Sequence, residues 1–216
     1  MLCVVKNTSL NGFLLSNLPA LGEKDVLVLS FGAVKCVDMN AELKGESDIF
    51  SRLTTLSRDK NVTILLHSDF YAAGGVFNSA AVVDGGICGV SDEINPRSCH
   101  DPGSALRCYN TSRGRLGVLL GEDINYPELW ARLAVCAPSS IFCFTKTYRA
   151  GLYSSLASLC NCGVCAVSPE RSGCYSDCGV LLKSSYEDIS FLPFPQGGRQ
   201  PKILTKKVRT SIEGNL

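Results

Sequence analysis

The sequence predicts a single α/β domain of layered architecture, and three patterns predict it. Two continuous apolar runs of strand length, Asp25-Val-Leu-Val-Leu and Asn61-Val-Thr-Ile-Leu-Leu, read as strands covered on both faces. An amphipathic stretch lies between them, as a crossover helix would. Further apolar runs then alternate with helical periods toward the C-terminus. The 216 residues, 45% of them hydrophobic and 19% charged, are enough for one well-buried core.

Taken in order, Asp25 opens the first central strand. Ser47 to Ser57 spaces Ile49, Phe50, Leu53 and Leu56 for one apolar face, with Asp48 four residues before Arg52 on the other. Phe77 to Asp84, the turn Gly85-Gly86 and Ile87 to Val90 make a hairpin, because glycine supplies the positive φ that a two-residue turn needs. Asn95 to Arg115, rich in Pro, Ser, Asn, Arg and Gly, reads as an irregular connection. Leu116-Gly-Val-Leu-Leu is the next strand. Tyr126, Leu129, Trp130, Leu133, Ala134 and Ala137 then recur at helical spacing behind Pro127, with Glu128 and Arg132 paired outside; Trp130 serves equally as core or interface. Ser140-Ile-Phe-Cys-Phe, Gly163-Val-Cys-Ala-Val and Gly179-Val-Leu-Leu are strands, with a helix at Gly151 to Leu159. Residues 1–195 form the domain. Residues 196–216, with Arg199, Lys202, Lys206, Lys207 and Arg209 against Glu213, form a basic tail.

Composition excludes several function classes. A net charge of +1 gives no field that draws in nucleic acid. No apolar run approaches the roughly 20 residues that span a bilayer, and residues 1–21 lack the features of a signal peptide. The 12 cysteines sit in apolar contexts such as Leu2-Cys3-Val4, where free cysteine behaves as a small hydrophobe, so a reducing cytoplasm is expected. The sequons at Asn7, Asn61 and Asn110 carry no weight there.

Two constellations invite a chemical reading. Cys160, Cys162 and Cys165, followed by Cys174 and Cys178, have the density of a metal site, which needs three or four converging thiolates. Cys162 and Cys165 flank a strand, so the preferred reading is small buried cysteines, with a cysteine-rich metal-binding module as an alternative. His67 and His100, the only histidines, read as isolated.

The block Gly114-Arg-Leu-Gly-Val-Leu-Leu-Gly-Glu-Asp-Ile-Asn-Tyr-Pro-Glu resembles the signature of the carbon-nitrogen hydrolase (nitrilase) superfamily. Asp123, Tyr126, Pro127, Glu128 and Arg132 match the pattern, and Ser139-Ser-Ile-Phe-Cys-Phe is similar to its following strand. Phe77-Asn78-Ser79-Ala80 is similar to the family's Tyr-Asn-Ser-Ala, and Asp25-Val-Leu-Val-Leu-Ser-Phe to its Asp-Leu-Ile-Val-Phe-Pro-Glu. The resemblance spans Asp25 to Leu182. It implies a four-layer αββα sandwich of the nitrilase type, shortened at the N-terminal helix, which is reduced to Asn11 to Leu18, and at the C-terminal region, and a homodimer.

The resemblance also implies a catalytic triad, and the triad positions are empty. The family attacks a nitrile or amide carbon with a cysteine thiolate, uses a glutamate as base and a lysine to stabilise the oxyanion. Gly121 stands at the nucleophile position, Phe31 at the glutamate, and Ser91 or Asp92 near the lysine, with Asp92 the preferred match. The expectation is a catalytically inactive pseudoenzyme that binds a small ligand or a partner protein, with no cofactor. Glu122, Asp123, Asn78 and Glu128 are its pocket candidates; for the acidic pair the preferred reading is that Asp123 orders the turn and Glu122 is solvated. The alternative is an active C–N hydrolase with a relocated nucleophile, Cys36 or Cys88 being nearest in motif terms.

Overall fold

The computed structural model describes residues 1–16 and 21–195. The chain runs β1 (Leu2–Lys6), α1 (Leu10–Ser16), β2 (Val26–Ser30), β3 (Cys36–Asp38), α2 (Met39–Lys44), α3 (Ile49–Lys60), β4 (Thr63–Ala72), β5 (Gly75–Asp84) and β6 (Ile87–Asp92). It continues through β7 (Cys108–Thr111), β8 (Gly114–Leu120), a 3-10 turn (Gly121–Asn125), α4 (Pro127–Val135), β9 (Ser140–Phe144), α5 (Ala150–Cys160), β10 (Gly163–Val167), β11 (Ser172–Tyr175), β12 (Leu181–Ser185) and β13 (Ile189–Leu192).

These strands build two sheets. One has the order β13-β1-β2-β4-β5-β6, with β3 added beside the far half of β4; the other is β12-β11-β10-β9-β8-β7. Each has a parallel centre, β1-β2-β4 in the first and β8-β9-β10 in the second, with antiparallel strands outside. Parallel centres need both faces covered, which is why these strands read as unbroken apolar runs.

The pleat divides those runs between layers. Val26, Val28, Leu65, Ala80 and Val82 meet Leu116, Val118, Leu120, Phe142 and Phe144 between the sheets. The alternate residues Leu27, Leu29, Ile64 and Leu66 pack outward on Phe13, Phe50 and Leu53 of α1 and α3. Leu119, Ile141, Cys143 and Val164 pack outward on Leu129, Trp130, Leu133, Tyr153 and Leu156 of α4 and α5. The result is the four-layer αββα arrangement, and Trp130 belongs to its core.

Local chemistry sets the helix ends. The Asp38 carboxylate accepts from the Asn40 and Ala41 amides and caps α2. Glu42 of α2 accepts from the Ile49 and Phe50 amides, so one short helix caps the next. Asp48 is the residue flanking α3 rather than part of its outer face, and Arg52 reaches Asn11 instead. Pro127 opens α4 as expected.

Four sequence expectations change. The connection from Asn95 to Arg115 is not wholly irregular, since Cys108–Thr111 pairs with β8. The hairpin strands are longer than read, ten residues in β5 and six in β6, with a bulge at Val82 and Val83. The strand read from Gly179 starts at Leu181, and β13 follows it. The first helix is Leu10–Ser16 within the described residues; the remainder of Asn11 to Leu18 and the basic tail 196–216 lie outside them. Among the described residues, no helix is long and apolar enough to cross a membrane.

Candidate functional site

A cavity of about 410 Å³ opens where the parallel strands of both sheets end. Carboxyl ends of parallel strands are where α/β sheets leave room for ligands. Phe31 follows β2, His67 and Asp69 lie on β4, Asn78 on β5, Glu93 just after β6, Gly121 and Glu122 just after β8, and Phe144 ends β9; all line the cavity. Two positions that the resemblance assigns to the triad, Phe31 and Gly121, therefore face one space.

The third position, Asp92, does not face that space, and its neighbour Glu93 does. The pleat of β6 turns Asp92 to the other face, where it accepts from Ser79 Oγ at 2.6 Å. Glu93 points inward and is buried. Its Oε1 accepts from the Glu122 amide at 2.6 Å, and its Oε2 accepts from Asn78 Nδ2 at 2.7 Å.

Gly121 and Glu93 fit each other. Gly121 begins the 3-10 turn at φ +50°, and a Cβ built on it would overlap all three atoms of the Glu93 carboxyl group. A side chain at residue 121 and this carboxylate compete for the same volume. The place of a side chain at residue 121 is taken by a carboxylate already held by two donors.

The hydrogen bonds run on as a directed chain. With Nδ2 committed to Glu93, Asn78 presents Oδ1 to His67 Nε2 at 2.9 Å, so that ring nitrogen carries the proton. Nδ1 then accepts from Ser30 Oγ at 2.9 Å. Burial pushes the His67 pKa down from 6.5 to about 4, which fits a neutral ring. The imidazole stacks on Phe144 at 4.8 Å and meets the edge of Phe31 at 4.8 Å.

The pocket candidates separate. Asn78 and Glu122 line the cavity. Glu122 is paired rather than solvated, since it accepts from Asn125 Nδ2 at 2.5 Å and meets Arg149 at 3.4 Å. Asp123 is buried and accepts from the Ile94 and Asn95 amides and Asn95 Nδ2, tying the chain after β6 to the turn. Burial raises its pKa, and those hydrogen bonds oppose the rise. Glu128 is exposed in the first turn of α4 and does not line the cavity.

The cysteines stand elsewhere. Cys160 and Cys162 lie between sheet and helices, Cys165 and Cys174 between the two sheets, and Cys178 is exposed. The strand divides them, as its alternation requires. Among the described residues no group of three or more Cys, His, Asp or Glu converges as a metal-binding set. Neither Cys36 nor Cys88 lines the cavity, nor does any other described cysteine.

Sequence reasoning missed Glu93, His67 and His100. His67 ends an apolar run at the carboxyl end of a parallel strand, a place worth weighing in any α/β sheet. His100, in the connection after β6, meets Asp69 Oδ1 at 3.0 Å and also lines the cavity. Lys35, Arg97 and Lys146 stand exposed around it.

No protein-family model matches the sequence, and no curated protein matches it. Solved structures do match. Nit3 of Saccharomyces cerevisiae, a member of branch 10 of the nitrilase superfamily, superposes with a TM-score of 0.68 at 14% identity, over 85% of this chain and 84% of that one. This is the nitrilase fold. A carbon-nitrogen hydrolase from Helicobacter pylori G27 aligns with a TM-score of 0.66 at 16% identity, over 87% of this chain and 86% of that one. XC1258 of Xanthomonas campestris, a CN-hydrolase superfamily protein with an arsenic adduct in its active site, gives 0.66 at 14%, over 86% of each chain. The nitrilase fold accounts for both sheets and both helix layers.

Proposed function

We propose that this chain is a carbon-nitrogen hydrolase-like protein that no longer hydrolyses, and that it acts by binding a small molecule in the cavity. The observation that carries the reading is the Glu93 carboxylate standing where a side chain on residue 121 would go. Thiol-mediated acyl transfer needs a nucleophile, a base to deprotonate it and a donor for the oxyanion. Gly121 has no nucleophile, Phe31 has no proton-accepting atom, and a carboxylate at Glu93 repels an oxyanion.

The rival, a hydrolase with a relocated nucleophile, lacks a candidate in the right place. No described cysteine lines the cavity. Ser30 is fully buried and its hydroxyl is donated to His67, which is itself locked by Asn78. The test is to incubate the purified full chain with a panel of amides and nitriles and a thiol-directed covalent probe, reading product and labelled peptide by mass spectrometry. The expected result is no product above the uncatalysed rate. Turnover accompanied by one labelled cysteine would establish the hydrolase instead.

A further inference from the structure

The cavity is electrically polarised in a way that says which end of a ligand goes where. Its carboxylates are all engaged: Glu93 by the Glu122 amide and Asn78, Glu122 by Arg149 and Asn125, Asp69 by His100. Its cations are not. Lys35, Arg97 and Lys146 line it from exposed positions, and among the described residues none of the three makes an ion pair or a side-chain hydrogen bond. The inner wall is apolar and aromatic, with Phe31 and Phe144 flanking a neutral His67.

Each Glu93 oxygen accepts one hydrogen bond and retains a further lone pair, so the floor can receive a nitrogen donor but not an anion. The mouth favours the opposite charge, because three unpaired cations around one opening add their potentials. We propose that the ligand is an ω-amino carboxylic acid, bound with its ammonium on Glu93, its methylene chain along the wall made by Phe31, His67 and Phe144, and its carboxylate among Lys35, Arg97 and Lys146. The assignment rests on the non-hydrolytic reading above and adds the ligand's chemical class and direction. A volume of about 410 Å³ accommodates such a chain of several carbons.

The test measures binding of β-alanine, γ-aminobutyrate and ε-aminocaproate to the full chain by calorimetry and saturation-transfer NMR. The matched amines and the matched fatty acids serve as single-charge controls. At least one amino acid binds about tenfold or more tighter than both of its controls. The triple variant Lys35→Gln, Arg97→Gln, Lys146→Gln keeps the wild-type circular dichroism and loses that preference for the acid-bearing ligand. Equal binding of amine and amino acid, no binding by any member, or an unaltered preference in the triple variant would overturn the proposal. Ammonia release from the corresponding ω-amino amides is followed in parallel. Its appearance would sink the non-hydrolytic reading while leaving the polarity intact, so the two failures are distinguishable.

Discussion

The floor and the mouth of the cavity are built on opposite plans. On the floor, Ser30, His67, Asn78, Glu93 and the Glu122 amide form one directed chain in which each donor faces an acceptor. At the mouth, Lys35, Arg97 and Lys146 project from exposed positions and pair with no described residue. Buried polar groups are held only when satisfied, so the floor is part of what stabilises the fold. Solvated cations contribute little to folding and remain free for a ligand. Changes on the floor should therefore be read in stability, and changes at the mouth in binding.

The largest break in that contrast should come from Gly121→Cys. The new side chain meets the Glu93 carboxylate at a residue whose φ is +50°. Overpacking a tight site together with a left-handed backbone costs roughly 4 kcal/mol, measured by urea unfolding, and the chain gains no hydrolase activity. Second comes acidification. The folded His67 takes up a second proton only below about pH 4, whereas the unfolded ring takes it up near 6.5. Stability is full above pH 6.5 and falls as pH drops toward 4, by about 3 kcal/mol. The difference between wild type and His67→Gln, followed across that range, isolates this contribution. Third, Asn78→Ala leaves His67 Nε2 and the Glu93 Oε2 without their partner and costs about 2 kcal/mol. Smallest is Lys35→Gln at the mouth, expected within about 0.5 kcal/mol of wild type in unfolding.

Parts of this molecule were legible in the sequence and parts were not, for reasons that differ by residue. The strands around Val26 to Ser30 and Ser140 to Phe144 announce themselves because both faces are covered, so apolar residues run without a break. Cys108–Thr111 does not, since a four-residue edge strand with one buried side chain carries little pattern. Gly121 was legible because the block that resembles the family signature, Gly114 to Glu128, surrounds it. Its partner Glu93 was not, because only the bulged register of β5 and β6 decides whether residue 92 or 93 faces inward. The mouth was the least legible, since Lys35, Arg97 and Lys146 come from three separate connections and become neighbours only when the sheets stack.

A double-mutant cycle between Gly121→Cys and Glu93→Ala, with stability read by urea unfolding of all four chains, shows whether the two residues share one space. If the carboxylate occupies the place of a side chain at residue 121, removing it makes room for the thiol, and the double variant is more stable than the sum of the single losses by about 2 kcal/mol. Additive losses would mean that Glu93 and residue 121 do not share that space, and would contradict the account.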